Sequence, residues 1–225
     1  MIGKCGNACL IATVLIALLV GCAEKHVVSL NASIRPAALP TKKVSASVAV
    51  VCPDNTKSYR KHVQAITLNG HLHSYDFEIG PALCKALLRS AGAVYLRPVE
   101  IPKMPPAGKH AAVIVFSIQH GQIDVAFEDN PFKASARASS ALAVAVELFE
   151  GKTLTSLHSS TLNGKAFLIR PLEKVSSPEA EKVFAAAIEA SIQQLSDNAV
   201  ALLEQWAAGQ SASSRAPARS ILNRS

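Results

Sequence analysis

The sequence predicts an α+β fold, in which an antiparallel or mixed sheet carries two main helices packed on one face. Three observations predict it. Residues 44–51 and 111–162 show the alternation and β-branched content of strands. Residues 77–91 and 179–206 repeat their apolar positions at helical spacing instead. The resulting order of strand, helix, several strands and helix segregates helices from strands, as an α+β domain does.

The first segment is an export signal by pattern. Residues 1–7 carry one lysine, Lys4, and no acid, and residues 8–20 are apolar except for Thr13. The uncharged run from Cys5 to Ala23 is 19 residues, long enough on paper to span a bilayer core of about 30 Å. A short positive start and small residues at the end favour a cleaved signal over a retained helix. Leu19-Val20-Gly21-Cys22 resembles the lipobox of bacterial lipoproteins. That resemblance implies cleavage between Gly21 and Cys22 and acylation of Cys22, which becomes the first mature residue. Acyl chains at ~0.8 kcal/mol per buried methylene then hold the protein to a leaflet. An uncleaved anchor or an ordinary signal peptide is the alternative. Lipoproteins kept at the inner membrane commonly have aspartate after the cysteine, so Ala23 implies the outer membrane, with the chain on its periplasmic side.

Removing residues 1–21 leaves 22 basic and 16 acidic residues, a surplus compatible with anionic lipid, glycan or nucleic acid. The charges are scattered and aromatics few, with no RNA-binding aromatic signature or zinc-finger spacing, so nucleic acid is not expected as a partner. Cys5 and Cys9 leave with the signal, and Cys52 and Cys84 remain. Two thiols in an oxidising compartment suggest a disulfide across about 30 residues, worth ~2–4 kcal/mol. Two buried, unpaired cysteines are the alternative.

Residues 22–43 read as a lipidated N-terminus and tether, with residues 27–34 able to form a short edge strand before Pro36, Pro40 and Lys42-Lys43. The domain is expected over residues 44–208. Its first strand is 44–51, ended by Pro53-Asp54-Asn55, and a polar, basic stretch follows over 56–64. A strand over 65–72 turns at Asn69-Gly70. The helix over 74–91 takes Ser74 or Asp76 as its cap and Gly92 as its terminator. Residues 93–96 form a brief strand, and 98–109, with four prolines, a loop.

Residues 111–118 and 123–127 are strands separated by a break or bulge at Gly121, and Glu128-Asp129-Asn130-Pro131 turns the chain. A long hairpin then runs from 134–149 through Glu150-Gly151-Lys152 to 153–162, with a further turn or bulge at Asn163-Gly164. Ser176-Ser177-Pro178-Glu179 caps the last long helix, whose stripe runs from Ala180 to Leu195. Ser196-Asp197-Asn198 ends or re-caps it before a short helix over 199–207. Residues 209–225 read as a disordered tail.

This order and spacing resemble small envelope lipoproteins of the YajG type, and more loosely the lipopolysaccharide-assembly lipoprotein LptE, the peptidoglycan-synthase activator LpoB and the N-terminal domain of TolB. The resemblance covers about 160 residues and carries no distinctive motif. It implies binding of envelope proteins or polymers and transfers no functional residue. The expected function is a non-catalytic adaptor at the outer membrane that binds an envelope protein or glycan. The alternative is an auxiliary subunit of a transport or secretion complex that contacts lipid or polysaccharide.

Candidate chemistry is sparse, and no cofactor, metal or enzymatic activity is expected. His71 and His73, near Asp76 and Glu78, share a strand face as metal ligands would, but two histidines in an exposed hairpin are commoner. Glu128 and Asp129 form a carboxylate pair whose place before Asn130-Pro131 suits a solvated turn. Lys57, Arg60 and Lys61, with His62 and Tyr59 among them, are the candidate contact for an anionic polymer or lipid. No Gly-x-Ser-x-Gly, His-Glu-x-x-His or phosphate-binding glycine loop occurs.

Overall fold

A computed structural model describes residues 24–37, 39–40, 42–67, 71–130, 133–173 and 177–213. Gly21, Cys22 and the Asn69-Gly70 turn lie outside the described residues. The element order is β1 (Glu24–Ser29), β2 (Val44–Val51), α1 (Asp54–Lys57), β3 (Arg60–Ile66), β4 (Leu72–Glu78), α2 (Ile79–Val94), β5 (Tyr95–Ile101), β6 (Ala112–Asn130), β7 (Lys133–Glu150), β8 (Ser156–Pro171) and α3 (Ser177–Ser213). The fold is α+β, as the sequence predicts. The single sheet is replaced by two mixed ones, a three-stranded sheet ordered β1-β4-β3 and a five-stranded sheet ordered β5-β2-β6-β7-β8.

Alternation builds the larger sheet. Along β7 the even-numbered residues Ala136, Ala138, Leu142, Val144, Val146 and Leu148 are buried, because successive side chains of a strand point to opposite faces. They meet α3, whose Ala180, Phe184, Ala187, Ile188, Ile192 and Leu195 line up at helical spacing in the same core. On β2, Val48 and Val50 face that core too. Ala49 and Val51 join Val113 on the opposite side, where Ile101, Val115, Phe149 and Leu154 cover them.

Several segments depart from expectation, and tertiary contacts account for them. Residues 72–78 form β4 and not the first turns of a helix, because Tyr75, Phe77 and Ile79 alternate and all three are fully buried. Residues 60–66 are β3, paired antiparallel along all of β4, where a polar, basic stretch over 56–64 and a strand over 65–72 are expected. The segment expected as a tether is fastened down. β1 pairs parallel with β4 from Glu24↔His73 to Ser29↔Glu78. Beyond it the Asn31 amide donates to Glu189 Oε1 (2.7 Å), the Ala37 amide to Asp197 Oδ1 (2.7 Å), and Arg89 to the carbonyls of Ala32 and Ile34.

The last helix is one continuous element. Ser196, Asp197 and Asn198 do not break it, because their polar groups find partners across the fold. Ser196 is fully buried against the Ser90 hydroxyl of α2 (2.8 Å), Asp197 receives the Ala37 amide, and Asn198 Nδ2 donates to the Asn163 carbonyl (3.0 Å).

Asn163-Gly164 is likewise no turn but the middle of β8. Gly164 lies directly under α3, where a Cβ would fall 2.1 Å from the Ser191 carbonyl oxygen. Gly164→Ala is therefore expected to lift α3 off β8 and cost about 1–3 kcal/mol, read as a lower denaturant midpoint. Gly209→Ala, in the same helix with open space around it, is the control and should hold or raise the midpoint.

Cys52, after β2, is bonded to Cys84 within α2, with the Cα atoms 6.1 Å apart and both residues buried. None of the helices among the described residues is long and apolar enough to cross a membrane.

Candidate functional site

Two features stand out from the framework. The first is a polar and aromatic cluster at the start of β1. Parallel pairing of Glu24 with His73 and of His26 with Tyr75 places these residues on one face of the small sheet, since positions two apart along a strand share a face. His26 Nε2 lies 3.0 Å from His73 Nδ1. Glu24 Oε1 is 3.8 Å from His26 Nε2, and its Oε2 is 3.6 Å from His73 Nδ1. On the far side of the His26 ring, Nδ1 is 2.9 Å from Glu181 Oε1 of α3.

Aromatic packing fixes the rings. His26 stacks on His73 (5.2 Å between centroids) and on Tyr75 (5.1 Å), and Tyr75 meets the edge of Phe184 at 5.1 Å. Both histidine side chains are 12% exposed, whereas that of Glu24 is 66% exposed. The cluster is thus enclosed from below and open to water beside Glu24.

The second feature is the open side of the larger sheet. Gln122 and Asp124 of β6, Ser139 and Ala141 of β7, and Lys165 and Phe167 of β8 line a shallow groove of about 420 Å³. Its acid is internally satisfied, since Gln122 Nε2 donates to Asp124 Oδ2 (3.0 Å). β8 is an edge strand of this sheet. Part of its edge is sealed by α3, where the Lys165 amide donates to Gln194 Oε1 (2.6 Å) and Asn198 holds the Asn163 carbonyl. Phe167 and Ile169 nearby stand 60% and 49% exposed, a costly arrangement on a strand edge unless something pairs with it.

The sites expected from the sequence are regrouped. His71 is exposed, and Asp76 and Glu78 face away from His73. Asp76 sits between His62 Nδ1 (2.7 Å) and Lys25 Nζ (3.0 Å), and these two hold its carboxyl below the usual carboxylate range, the His62 hydrogen bond foremost. The partners of His73 come instead from β1. The sequence signal is Glu24-x-His26, a period of two masked by the prolines and lysines that follow it in residues 22–43.

The basic cluster is divided. Arg60 and Lys61 are consecutive in β3 and so point to opposite faces. Arg60 pairs with Glu78 (2.7 Å) and Lys57 with Glu100 (3.0 Å). A second basic depression, of about 400 Å³, is lined by Arg35, Leu39, Lys43 and Arg89. Arg89 and Lys43 already donate to backbone carbonyls there, Lys43 to that of Gly92 near the end of α2. Glu128 is paired with Arg137 across β6 and β7 (3.1 Å), and the Asp129 side chain lies outside the described residues. Burial raises the Tyr59 and Tyr95 hydroxyls above the ordinary phenol value.

No protein-family model and no curated protein sequence matches the chain. Among solved structures it is similar to protein XCC0632 from Xanthomonas campestris, of family model DUF330, at 12% identity and a TM-score of 0.49, covering 82% of this chain and 99% of that one. It is similar to a minor lipoprotein from Acinetobacter baumannii at 8% identity and a TM-score of 0.40, covering 74% and 96% of the two chains. A candidate lipoprotein from Caulobacter crescentus is similar at 14% identity and a TM-score of 0.38, covering 57% and 82%.

Proposed function

We propose that this chain is an envelope lipoprotein in the manner of the YajG type, acylated at Cys22, held on the periplasmic face of the outer membrane, and acting as an adaptor that binds a partner protein along β8. The observation that carries the adaptor reading is the exposed pair Phe167 and Ile169 on an edge strand beside the groove of Gln122, Asp124 and Lys165. An edge strand supplies main-chain hydrogen bonds to an added strand, and alternate side chains supply its selectivity. The anchor reading rests on Leu19-Val20-Gly21-Cys22. Cys22 precedes Glu24 by two residues, a reach of about 7 Å at most. A lipid there keeps the domain against the leaflet and confines it to partners at the membrane surface.

The alternative, a transport subunit that contacts lipid or polysaccharide, would use the basic depression at Arg35, Lys43 and Arg89. Two of those three cations are already engaged by backbone carbonyls, which favours the adaptor.

Cys22→Ala is expected to abolish fatty-acid labelling and move the protein from the membrane pellet to the soluble periplasmic fraction. A photo-crosslinker at position 167 is expected to give a discrete adduct with an envelope protein, absent from position 205 on the exposed face of α3 and lost in Ile169→Lys. A labelled, membrane-bound Cys22→Ala protein would overturn the anchor. Crosslinks from 167 to lipid or glycan alone would replace the adaptor with the transport reading.

A further inference from the structure

We propose that Glu24, His26 and His73 form a binding site for one divalent transition-metal ion of the zinc class, with Glu181 as the carboxylate that orients His26. The site stands on its own geometry and is independent of the adaptor reading.

Three donor atoms converge. A tetrahedral centre with ligands at about 2.0–2.1 Å places its donor atoms about 3.3 Å apart. The two imidazole nitrogens are 3.0 Å apart, Glu24 Oε2 is 3.6 Å from His73 Nδ1 and Glu24 Oε1 is 3.8 Å from His26 Nε2, and one donor atom from each residue lies within 4.8 Å of the other two. Rotation of the Glu24 side chain, which brings one oxygen toward both nitrogens, closes the site without moving either strand. Glu24 is the most exposed of the three and has the freedom to make that rotation.

The donor set selects the ion. Two imidazole nitrogens with one carboxylate suit zinc and its neighbours and not magnesium or calcium, which take oxygen ligands. Three protein ligands leave a fourth position for water on the solvent side of Glu24.

Support around the ligands fits the same reading. Metal-binding histidines donate the other ring N–H to a carboxylate or carbonyl, which fixes the tautomer. Glu181 stands 2.9 Å from His26 Nδ1 and does this for His26, which leaves the lone pair of Nε2 turned toward His73 and Glu24. Stacking on Tyr75, itself against Phe184, holds the imidazole plane. The ion would join β1 to β4 and, through Glu181, to α3, adding a cross-link to an edge strand already paired with β4.

The test uses the protein purified from membranes in detergent, stripped with a chelator and titrated with Zn²⁺ against a chromophoric competitor. Co²⁺ serves as the spectroscopic probe. One equivalent of Zn²⁺ is expected per chain, and Co²⁺ should give the intense visible bands of a tetrahedral site. Glu181→Gln should weaken Zn²⁺ binding by about 10–100-fold, and Glu24→Gln by at least as much. His73→Gln should remove it. Glu24 is exposed, so Glu24→Gln keeps the fold, checked by circular dichroism, even where His73→Gln does not. At the same Zn²⁺ concentration the melting temperature of the parent should rise more than that of Glu24→Gln. Failure of the parent to bind one equivalent, or equal binding and Co²⁺ spectra for the parent and Glu24→Gln, would overturn the proposal.

Discussion

Phe184→Ala is expected to cost about 3–5 kcal/mol, the range for removing a buried aromatic ring. For a domain of this size a loss of about 4 kcal/mol lowers the melting temperature by roughly 8–16 °C. Phe184 is fully buried on α3 and meets Tyr75 of the small sheet at 5.1 Å and Phe127 of the large one at 5.8 Å, both edge to face. It is thus where the helix and both sheets close on one another, and no neighbour can collapse into its space without parting one of them. Phe184→Leu should recover part of the loss. Guanidinium unfolding followed by circular dichroism reads the result as a lower midpoint at unchanged slope. A loss below 1 kcal/mol would mean that the two sheets are not held through this ring.

Replacing Cys52 and Cys84 together by alanine is expected to cost about 3–4 kcal/mol through the freed loop of the unfolded chain. Their separation is 32 residues. The loop holds α1, β3 and β4, so the bond ties the end of β2 to α2 across two of the three strands of the small sheet. Both cysteines are buried, and a reductant should therefore have little effect on the folded protein and a full effect under unfolding conditions. The comparison to make is the unfolding midpoint of the parent with and without reductant against that of the double variant. If reductant leaves the parent's midpoint unchanged, the bond contributes nothing to its stability.

Legibility in the sequence followed the range of the interactions. The run from β6 to β8 and the stripe of α3 were readable because one apolar face repeats at a fixed period, two residues in β7 and 3.6 in α3. β4 is ambiguous in the sequence because Phe77, Ile79 and Leu83 fit a helix as well as a strand when Tyr75 is left out of the pattern. Ser196, Asp197 and Asn198 look like a helix stop until their partners, Ser90, Ala37 and Asn163, are known. The histidine cluster was the least legible. His26 and His73 are 47 residues apart, and they meet through a parallel pairing of non-consecutive strands that local periodicity does not encode.

The parallel pairing of β1 with β4 also determines how the domain bears mechanical load. Its rungs lie across the strand axis from Glu24↔His73 to Ser29↔Glu78. A tug along that axis from the N-terminal end strains these rungs side by side, in shear, and not one after another as in peeling. Behind them, the hydrogen bonds from Asn31, Ala37 and Arg89 carry the same tension into α2 and α3. The segment that enters the fold first is thereby fastened against a pull from its own end.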